Sequence, residues 1–472
     1  MDELKLFAGL MLPWLVGMAV LISGLRARVS LAAPGEFAWI AGAGYLVGAF
    51  LLTLWMRALS LAGVPFSVFA VGAPLLAATM AAGYYAWRRD GDTLPRAVLA
   101  ALRAFAHPPG LEGTTRLAWR LLLAWLALRF IMLGFQVSWQ PLYPWDAWIG
   151  WATKARVWYE LGRIVPFAGA DAWFAADGGA YFDAAPGYPP TVPLLQVWAC
   201  IVLGRWDDAL MNWPWWQIAA ALAFAVYGAL RALSMSALGA LVTAFFVASL
   251  PLANVHVALA GYADLPMAAF YTCAVLALLR WAATRDARDA ALVALLAVAC
   301  TQIKNPGLAW ALTLVPGVIV VLLPRLGLKL AVAGLGAMLF LLAVLAQTST
   351  SILGYRLHLD FEPAWAPLRA SYFLLGNWNL LWYGVFAAAF LAGRQLASQT
   401  LAPMTIIVTA GAVLLFVVVS LTNASAWVAD QTTASRATLH FAPVAAVFAA
   451  LAFRAFAVRW ANARPTADAP GA

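Results

Sequence analysis

Apolar runs of roughly twenty residues recur along the whole of this chain, the length an α-helix needs to cross the roughly 30 Å hydrocarbon layer of a bilayer. The runs are continuous rather than alternating, which argues against a transmembrane barrel. Of the 472 residues, 65% are hydrophobic and 10% charged, with mean hydropathy +0.85. A soluble domain is nearer a quarter charged. The predicted fold class is therefore an all-α polytopic membrane protein. About thirteen spans are expected, at roughly 6–24, 37–59, 64–87, 117–137, 209–230, 236–253, 264–281, 289–303, 307–323, 328–348, 373–392, 401–421 and 437–457. The first run follows Asp2, Glu3 and Lys5 rather than a basic stretch, and reads as a retained helix, not a secretory signal.

Segment 191–204 is apolar but short, and the loop charges decide how it is read. Loop 88–116 carries Arg88, Arg89, Arg96, Arg103 and Arg116, so it is placed in the cytoplasm. If 191–204 does not cross, Arg231, Arg280, Arg285, Arg288, Arg325, Lys329, Arg394, Arg454, Arg459 and Arg464 all fall inside as well. If it crosses, nearly all of them move outside. The chain is thus expected to start outside and end inside, with 191–204 as a juxtamembrane helix. The outer face then holds Asp146, the segment from Asn254 to Asp264, Lys304, the loop 349–372 and Gln431 to Arg436.

The expected organisation is a three-helix transmembrane block at 1–90, a basic cytoplasmic loop at 91–116, a main transmembrane domain at 117–460 with the outer loop 138–208, and a disordered tail at 461–472. The net charge of +9 lies mostly in short loops and points to lipid headgroups, not nucleic acid. Cys200, Cys273 and Cys300 sit in apolar stretches and suggest neither a disulfide framework nor a metal site. No Gly-rich phosphate loop follows a strand, so a nucleotide-binding unit is not expected.

Several polar residues stand out at the boundaries of these spans. Asp146 lies in Tyr143-Pro144-Trp145-Asp146-Ala147-Trp148-Ile149-Gly150-Trp151. A carboxylate at the water–lipid edge, walled by aromatic rings that stack on sugar or cover phosphate, suits a general base. The plainer reading is an aromatic belt with an interfacial acid. Asp264, in Gly261-Tyr262-Ala263-Asp264-Leu265-Pro266, is either a helix cap or, with Asn254 and His256, a substrate or cation site. Lys304, in the Lys304-Asn305-Pro306-Gly307 turn, snorkels or holds a phosphate. Arg436 shares a helix face with His440, and its guanidinium suits phosphate oxygens unless Asp430 pairs with it. Arg129, inside a span, needs an anionic partner, either Asp146 or a lipid phosphate. The mixed charges of 349–372 read as a solvated cap, and Asp171, Asp177 and Asp183 as solvated turns.

The order of these features resembles the membrane-embedded GT-C glycosyltransferase superfamily, specifically the bacterial polyprenyl-phosphate-sugar-dependent enzymes related to protein mannosyltransferases and aminoarabinose transferases. There, a long outer loop bears an early acid, a Pro-Pro segment opens a juxtamembrane helix, and a second acid lies in the next outer loop. Asp146, Tyr188-Pro189-Pro190 and Asp264 match those positions, over roughly 117–457. The Lys304 turn resembles a Lys-x-Glu-Gly pattern, with Pro306 in place of the acid, and Arg436 to Pro443 resembles the start of the last helix. The resemblance implies a bacterial inner-membrane enzyme with its site facing the periplasm or exterior. It would move a sugar from a polyprenyl-phosphate carrier to a glycan, lipid or protein acceptor. Asp146 would be the inverting base and Asp264 a second catalytic acid, with Mg or Mn as a candidate cofactor. Lys304, Arg436 and Arg129 would bind the donor phosphate, and Trp145, Trp148, Tyr188, Tyr262 and His256 would line the substrates. A flippase for lipid-linked glycans would need access from both faces and usually shows repeated halves, which are not seen here. An oligosaccharide ligase or polymerase shares the same donor.

Overall fold

The computed structural model describes residues 2–24, 31, 33–91, 93–176, 179–348, 350–352, 355–358, 364–428 and 432–463. The chain is an all-α membrane protein with several long apolar helices. It divides into two compact units, Met1–Ala277 with Arg288–Ala311, and Leu278–Ala287 with Leu312–Ala472.

The helices are α1 Asp2–Gly24, α2 Glu36–Leu61, α3 Ala73–Asp90, α4 Thr93–Ala106, α5 Gly113–Trp139, α6 Thr153–Leu161, α7 Ala170–Ala175, α8 Thr191–Leu203, α9 Trp213–Ala232, α10 Ala237–Ala248, α11 Pro251–Ala258, α12 Asp264–Thr284, α13 Ala287–Thr301, α14 Gly307–Leu312, α15 Leu314–Leu322, α16 Gly327–Ala346, α17 Trp365–Arg369, α18 Leu381–Ala392, α19 Ala402–Ser420, α20 Thr432–Leu439 and α21 Ala442–Ala463. Two residue pairs, β1 Phe167–Ala168 and β2 Tyr181–Phe182, join in parallel across the outer loop. A second short pair, β3 Ser351–Ile352 and β4 Tyr355–Arg356, is antiparallel.

Among the described residues, eight helices are long and apolar enough to cross a membrane singly, and a ninth crossing arises if the bent pair α10–α11 counts as one. Segment 209–230 forms the unbroken 20-residue α9, which is not among those eight, and the remaining expected segments form shorter or broken helices. α13 ends at Thr301, the run from 307 is interrupted at Thr313, and α18 covers only the second half of 373–392. Within the expected basic loop, residues 93–106 form a helix that loop charge alone does not reveal. Phe105 anchors it among Phe37, Phe224 and Tyr227, at ring distances of 5.7 to 6.4 Å.

In the first unit, small residues let helices approach to backbone contact. A Cβ on Gly17 would collide with the Gly44 carbonyl, and one on Gly48 with that of Pro13. This register runs α1 antiparallel to α2. The opposite face of α2 meets α9, where Gly42 lies against Ala221 and Ala225, and Gly228 against Trp39. Between lipid-like surfaces no hydrophobic force favours one partner, so close van der Waals contact of this kind drives helix pairing. Tyr45 donates to Gln217 at 3.2 Å, and Gln217 donates to the Leu10 carbonyl at 2.8 Å, which gives the buried amide of α9 its partners. The first helices and α9 therefore share one core.

Contacts sort the helix ends of this unit into two sets. At one end, Arg89 donates to the Ser23 carbonyl at 2.9 Å and Arg288 to that of Gly24 at 3.1 Å. At the other, Ser60 accepts from the Ile164 amide at 3.0 Å, and the end of α2 reaches Thr191 and Gln302. The arginine-rich end is opposite the end that carries Asp264 and Lys304.

The 13-residue helix α8 is buried along almost its full length. Its first residue, Thr191, meets Arg57, and Val202 meets Gly9. The α1–α2 register places Gly9 level with Leu52, only about 7 Å deeper than Arg57 at 1.5 Å per residue. From Thr191 to Val202 the helix itself is about 17 Å long. It therefore lies obliquely near one end of α1 and α2, in place of crossing beside them.

In the second unit α15 and α16 pack on α19, and α18 packs on α21, with Trp382 stacked on Phe441 at 6.3 Å. Arg285 donates to the Val321 carbonyl.

Candidate functional site

Asp146 follows α5 through the turn at Pro144, whose carbonyl accepts from the Ala147 and Trp148 amides at 3.0 and 3.2 Å. It opens a single π-helical turn, Ala147–Ala152, and is half-buried. A π turn is rare and widens the backbone spiral, which is how such turns come to mark functional sites. The flanking tryptophans separate into two kinds. Trp145 and Trp148 are exposed and meet edge to face at 5.5 Å. Trp151 is buried and packs on Tyr188 at 4.9 Å.

The segment before α12 comes to this turn directly. Gly261 has φ +107°, which L side chains rarely adopt, and a Cβ there would sit 2.7 Å from the Ala147 Cβ. Only glycine allows that approach. The neighbour of Asp146 is thereby pressed onto the residue three before Asp264. The Tyr262 carbonyl accepts from the Trp215 indole at 2.7 Å, fixing the loop, and the Tyr262 ring lies 5.2 Å from that of His256.

Asp264 is fully buried. Its Oδ1 lies 2.6 Å from Lys304 Nζ, forming a charge-assisted hydrogen bond between segments forty residues apart. His256 Nε2 is 3.9 Å from Oδ2, while Nδ1 is 2.9 Å from the Leu252 carbonyl. Since a carbonyl only accepts, Nδ1 carries the proton and the Nε2 edge faces the carboxylate. Asp264, Lys304, His256 and Tyr262 thus form one cluster, with the Asp146 turn against it.

A second buried pair was not legible in the sequence. Asp183, expected in a solvated turn, is fully buried, because Lys154 is buried 3.7 Å from it. Lys154 Nζ donates to the Ala185 carbonyl at 2.7 Å and lies 6.0 Å from the Tyr188 ring centre. Asp183 Oδ1 accepts from the Ala185 amide at 2.6 Å. Desolvation pushes the Lys154 ammonium below its ordinary value of 10.5 and the Asp183 carboxyl above 3.8. The pair fixes the approach to Tyr188-Pro189-Pro190 and so sets Tyr188 against Trp151. Asp177 lies outside the described residues.

Arg57 on α2 is a further polar residue that sequence reasoning passed over. Its Nη1 donates to Gln302 Oε1 at 2.8 Å and its Nη2 to Thr191 Oγ1 at 2.5 Å. It ties α2 to the start of α8 and to the turn that holds Lys304.

Arg129 is half-buried on α5, near Phe130, whose carbonyl accepts from the Trp216 indole at 2.7 Å. Its Nε has no hydrogen-bond partner among the described residues. Arg436 belongs to the second unit, on α20. Beside it, Ser435 Oγ lies 2.7 Å from Ser371 Oγ, and Thr438 Oγ1 lies 2.7 Å from Tyr372 OH. Asp430, Gln431, Asp360 and Glu362 lie outside the described residues.

No group of three His, Cys, Asp or Glu side chains converges among the described residues. His256 and Asp264 alone, with one carboxylate oxygen occupied by Lys304, do not fit a divalent-cation site. Chemically, the cluster offers a half-buried carboxylate beside a buried, charge-balanced acid and an imidazole edge.

Comparison of the chain with protein-family models, with curated proteins and with solved structures finds no match in any of the three.

Proposed function

We propose that the protein is a membrane glycosyltransferase of the GT-C kind, moving a sugar from a polyprenyl-phosphate carrier to an acceptor hydroxyl at the bilayer face that bears Asp146. The observation that carries this reading is the contact of Gly261 with Ala147, which sets the Asp146 turn against the Asp264–Lys304–His256 cluster. In this reading the site faces outward from a bacterial inner membrane, and the shorter helices complete a bundle of about thirteen crossings.

Asp146 takes the acceptor proton as the acceptor oxygen bonds to the anomeric carbon. The bond from that carbon to the carrier phosphate breaks, and its electron pair leaves on the phosphate. Attack opposite the leaving group inverts the anomeric centre. Lys304 holds Asp264 in place, and Asp264 with His256 orients the acceptor. Trp145 and Trp148, exposed beside Asp146, provide faces for the sugar or the carrier chain. Positioning and electrostatics supply most of the rate, because a polyprenyl phosphate is a good leaving group.

Asp146→Asn tests the reading in membranes supplied with a polyprenyl-phosphate sugar and an acceptor extract. Transfer should fall by roughly a hundredfold or more, the usual scale for a positioned base, with expression unchanged. Wild-type transfer rates in that variant would remove Asp146 from the mechanism.

A further inference from the structure

The proposed donor brings a phosphate, and Lys304 is poorly placed to balance it, since its charge is already matched by Asp264 at 2.6 Å. Arg57 differs in its surroundings. Both of its hydrogen-bond partners, Gln302 Oε1 and Thr191 Oγ1, are neutral, and no carboxylate pairs with it among the described residues. Its Nε is buried without a hydrogen-bond partner. The side chain is half-buried, four residues before the end of a membrane-spanning helix. A cation in such a place ordinarily has an anionic partner, because the hydrocarbon edge does little to solvate it.

The geometry around Arg57 is that of an anion receiver. Its guanidinium has five N–H donors in a fixed fork, and neutral acceptors take only two of them in hydrogen bonds. Thr191 holds one arm at the mouth of α8 and Gln302 the other at the Lys304 turn. Both partners can turn to the anion as well: a hydroxyl donates as readily as it accepts, and the Gln302 amide, now 3.2 Å from Thr301 Oγ1, carries donors of its own.

We infer that Arg57, with Thr191 and Gln302, forms a phosphoryl-binding site, and that its ligand is the phosphate headgroup of the lipid carrier. The inference rests on the proposed donor for its lipid, while the anion site itself stands on the uncompensated guanidinium. It also gives the first helices a share in substrate binding. They would position the carrier phosphate from one side, while the Asp146 turn meets the sugar.

The test uses the full-length protein in detergent and reads binding without any transfer step. Thermal unfolding is followed with undecaprenyl phosphate, with undecaprenol, with phosphatidylglycerol and with inorganic phosphate. Undecaprenyl phosphate should raise the midpoint, and undecaprenol should not. A shift with phosphatidylglycerol of the same size would assign the site to bulk anionic lipid and overturn the carrier. A shift with inorganic phosphate alone would assign it to the free anion and likewise overturn the lipid ligand. Arg57→Gln should weaken undecaprenyl phosphate binding about thirtyfold, the lower end for losing one partner of a buried charge pair, and Arg57→Lys should restore part of it.

Should Arg57→Gln fail to fold, the wild-type protein answers the question. Phenylglyoxal modification of Arg57, read by peptide mass spectrometry, should slow with undecaprenyl phosphate and not with undecaprenol. Equal modification rates in both would overturn the site. Binding at Arg57 with no sugar transfer by the wild-type protein would sink the enzyme reading and leave this site standing. Transfer with undiminished donor affinity in Arg57→Gln would do the reverse.

Discussion

Two buried lysine–aspartate pairs sit in the first unit and work differently. Lys304 and Asp264 meet at 2.6 Å, ammonium to carboxylate, so each charge finds its main partner in the other. Lys154 and Asp183 stand 3.7 Å apart, and each makes its shorter hydrogen bond to the backbone of Ala185. The first is a charge-balanced unit that brings side chains of two distant turns together. The second is a clamp that uses charged groups to hold a stretch of main chain. The same two residue types therefore give a candidate chemical group in one place and a loop fastener in the other.

The comparison breaks most decisively at the tighter pair. Asp264→Asn or Lys304→Met alone should destabilise by about 3–5 kcal/mol, because each removes one member of a buried, hydrogen-bonded charge pair. The double variant should be more stable than either single one. Costs that simply add, followed by thermal unfolding in detergent, would mean the two groups do not act as a pair.

The clamp should cost less and show a distinct pH signature. Lys154→Met should destabilise by about 2 kcal/mol, the scale of a lost hydrogen bond with a buried partner left behind. In the wild type, the unfolded chain still holds the Lys154 proton just below pH 10.5, where the folded chain has released it. The unfolded state binds more protons there, so stability rises with pH in that window. Asp183 has the opposite sense: just above pH 3.8 the folded chain holds a proton that the unfolded chain has lost, so stability falls as pH rises. Lys154→Met should erase the alkaline rise and extend the acid-side fall upward. An unchanged alkaline profile would show that Lys154 is not the titrating group.

The smallest effect on stability separates the two pairs spatially. Gly261→Ala should cost about 1–2 kcal/mol, the penalty for an L side chain in left-handed backbone. It should push the Asp146 turn off the Asp264 cluster and lower transfer, while the Lys154 pH signature stays as in the wild type. Wild-type transfer rates in this variant would separate Asp146 from Asp264 functionally.

Much of the fold was legible because the bilayer imposes length and composition on each crossing helix. α1, α2, α3, α5 and α12 appear where apolar run length placed them. Helix α8, where the sequence shows a short apolar segment, is a 13-residue helix at one end of its neighbours. The Asp146 and Asp264 segments stood out because an acid at a helix boundary has few structural excuses in so apolar a chain. Arg57 was hidden by the same logic, since its partners Thr191 and Gln302 are more than a hundred residues away and neither is charged. Asp183 looked solvated because small residues surround it in sequence, and only the fold brings Lys154 beside it. The helix α4 was missed for a related reason: loop charge reports the side of the membrane and says little about local conformation.

The oblique position of α8 bears on the order in which the protein can be assembled. Thirteen residues are too few for the bilayer to retain as a crossing. Its burial instead depends on α1 and α2, made long before it, and on the side chains of α9 that follow it. Until those helices have paired through Gly17, Gly44 and Gly48, α8 has no groove to occupy and presents an apolar face to water or lipid headgroups. Its docking is thus a late, long-range step with a large loop to close, and pairing of the first two helices becomes a checkpoint for the site. A bulky residue at Gly48 should therefore delay maturation of the Thr191–Arg57 contact far from the substitution itself.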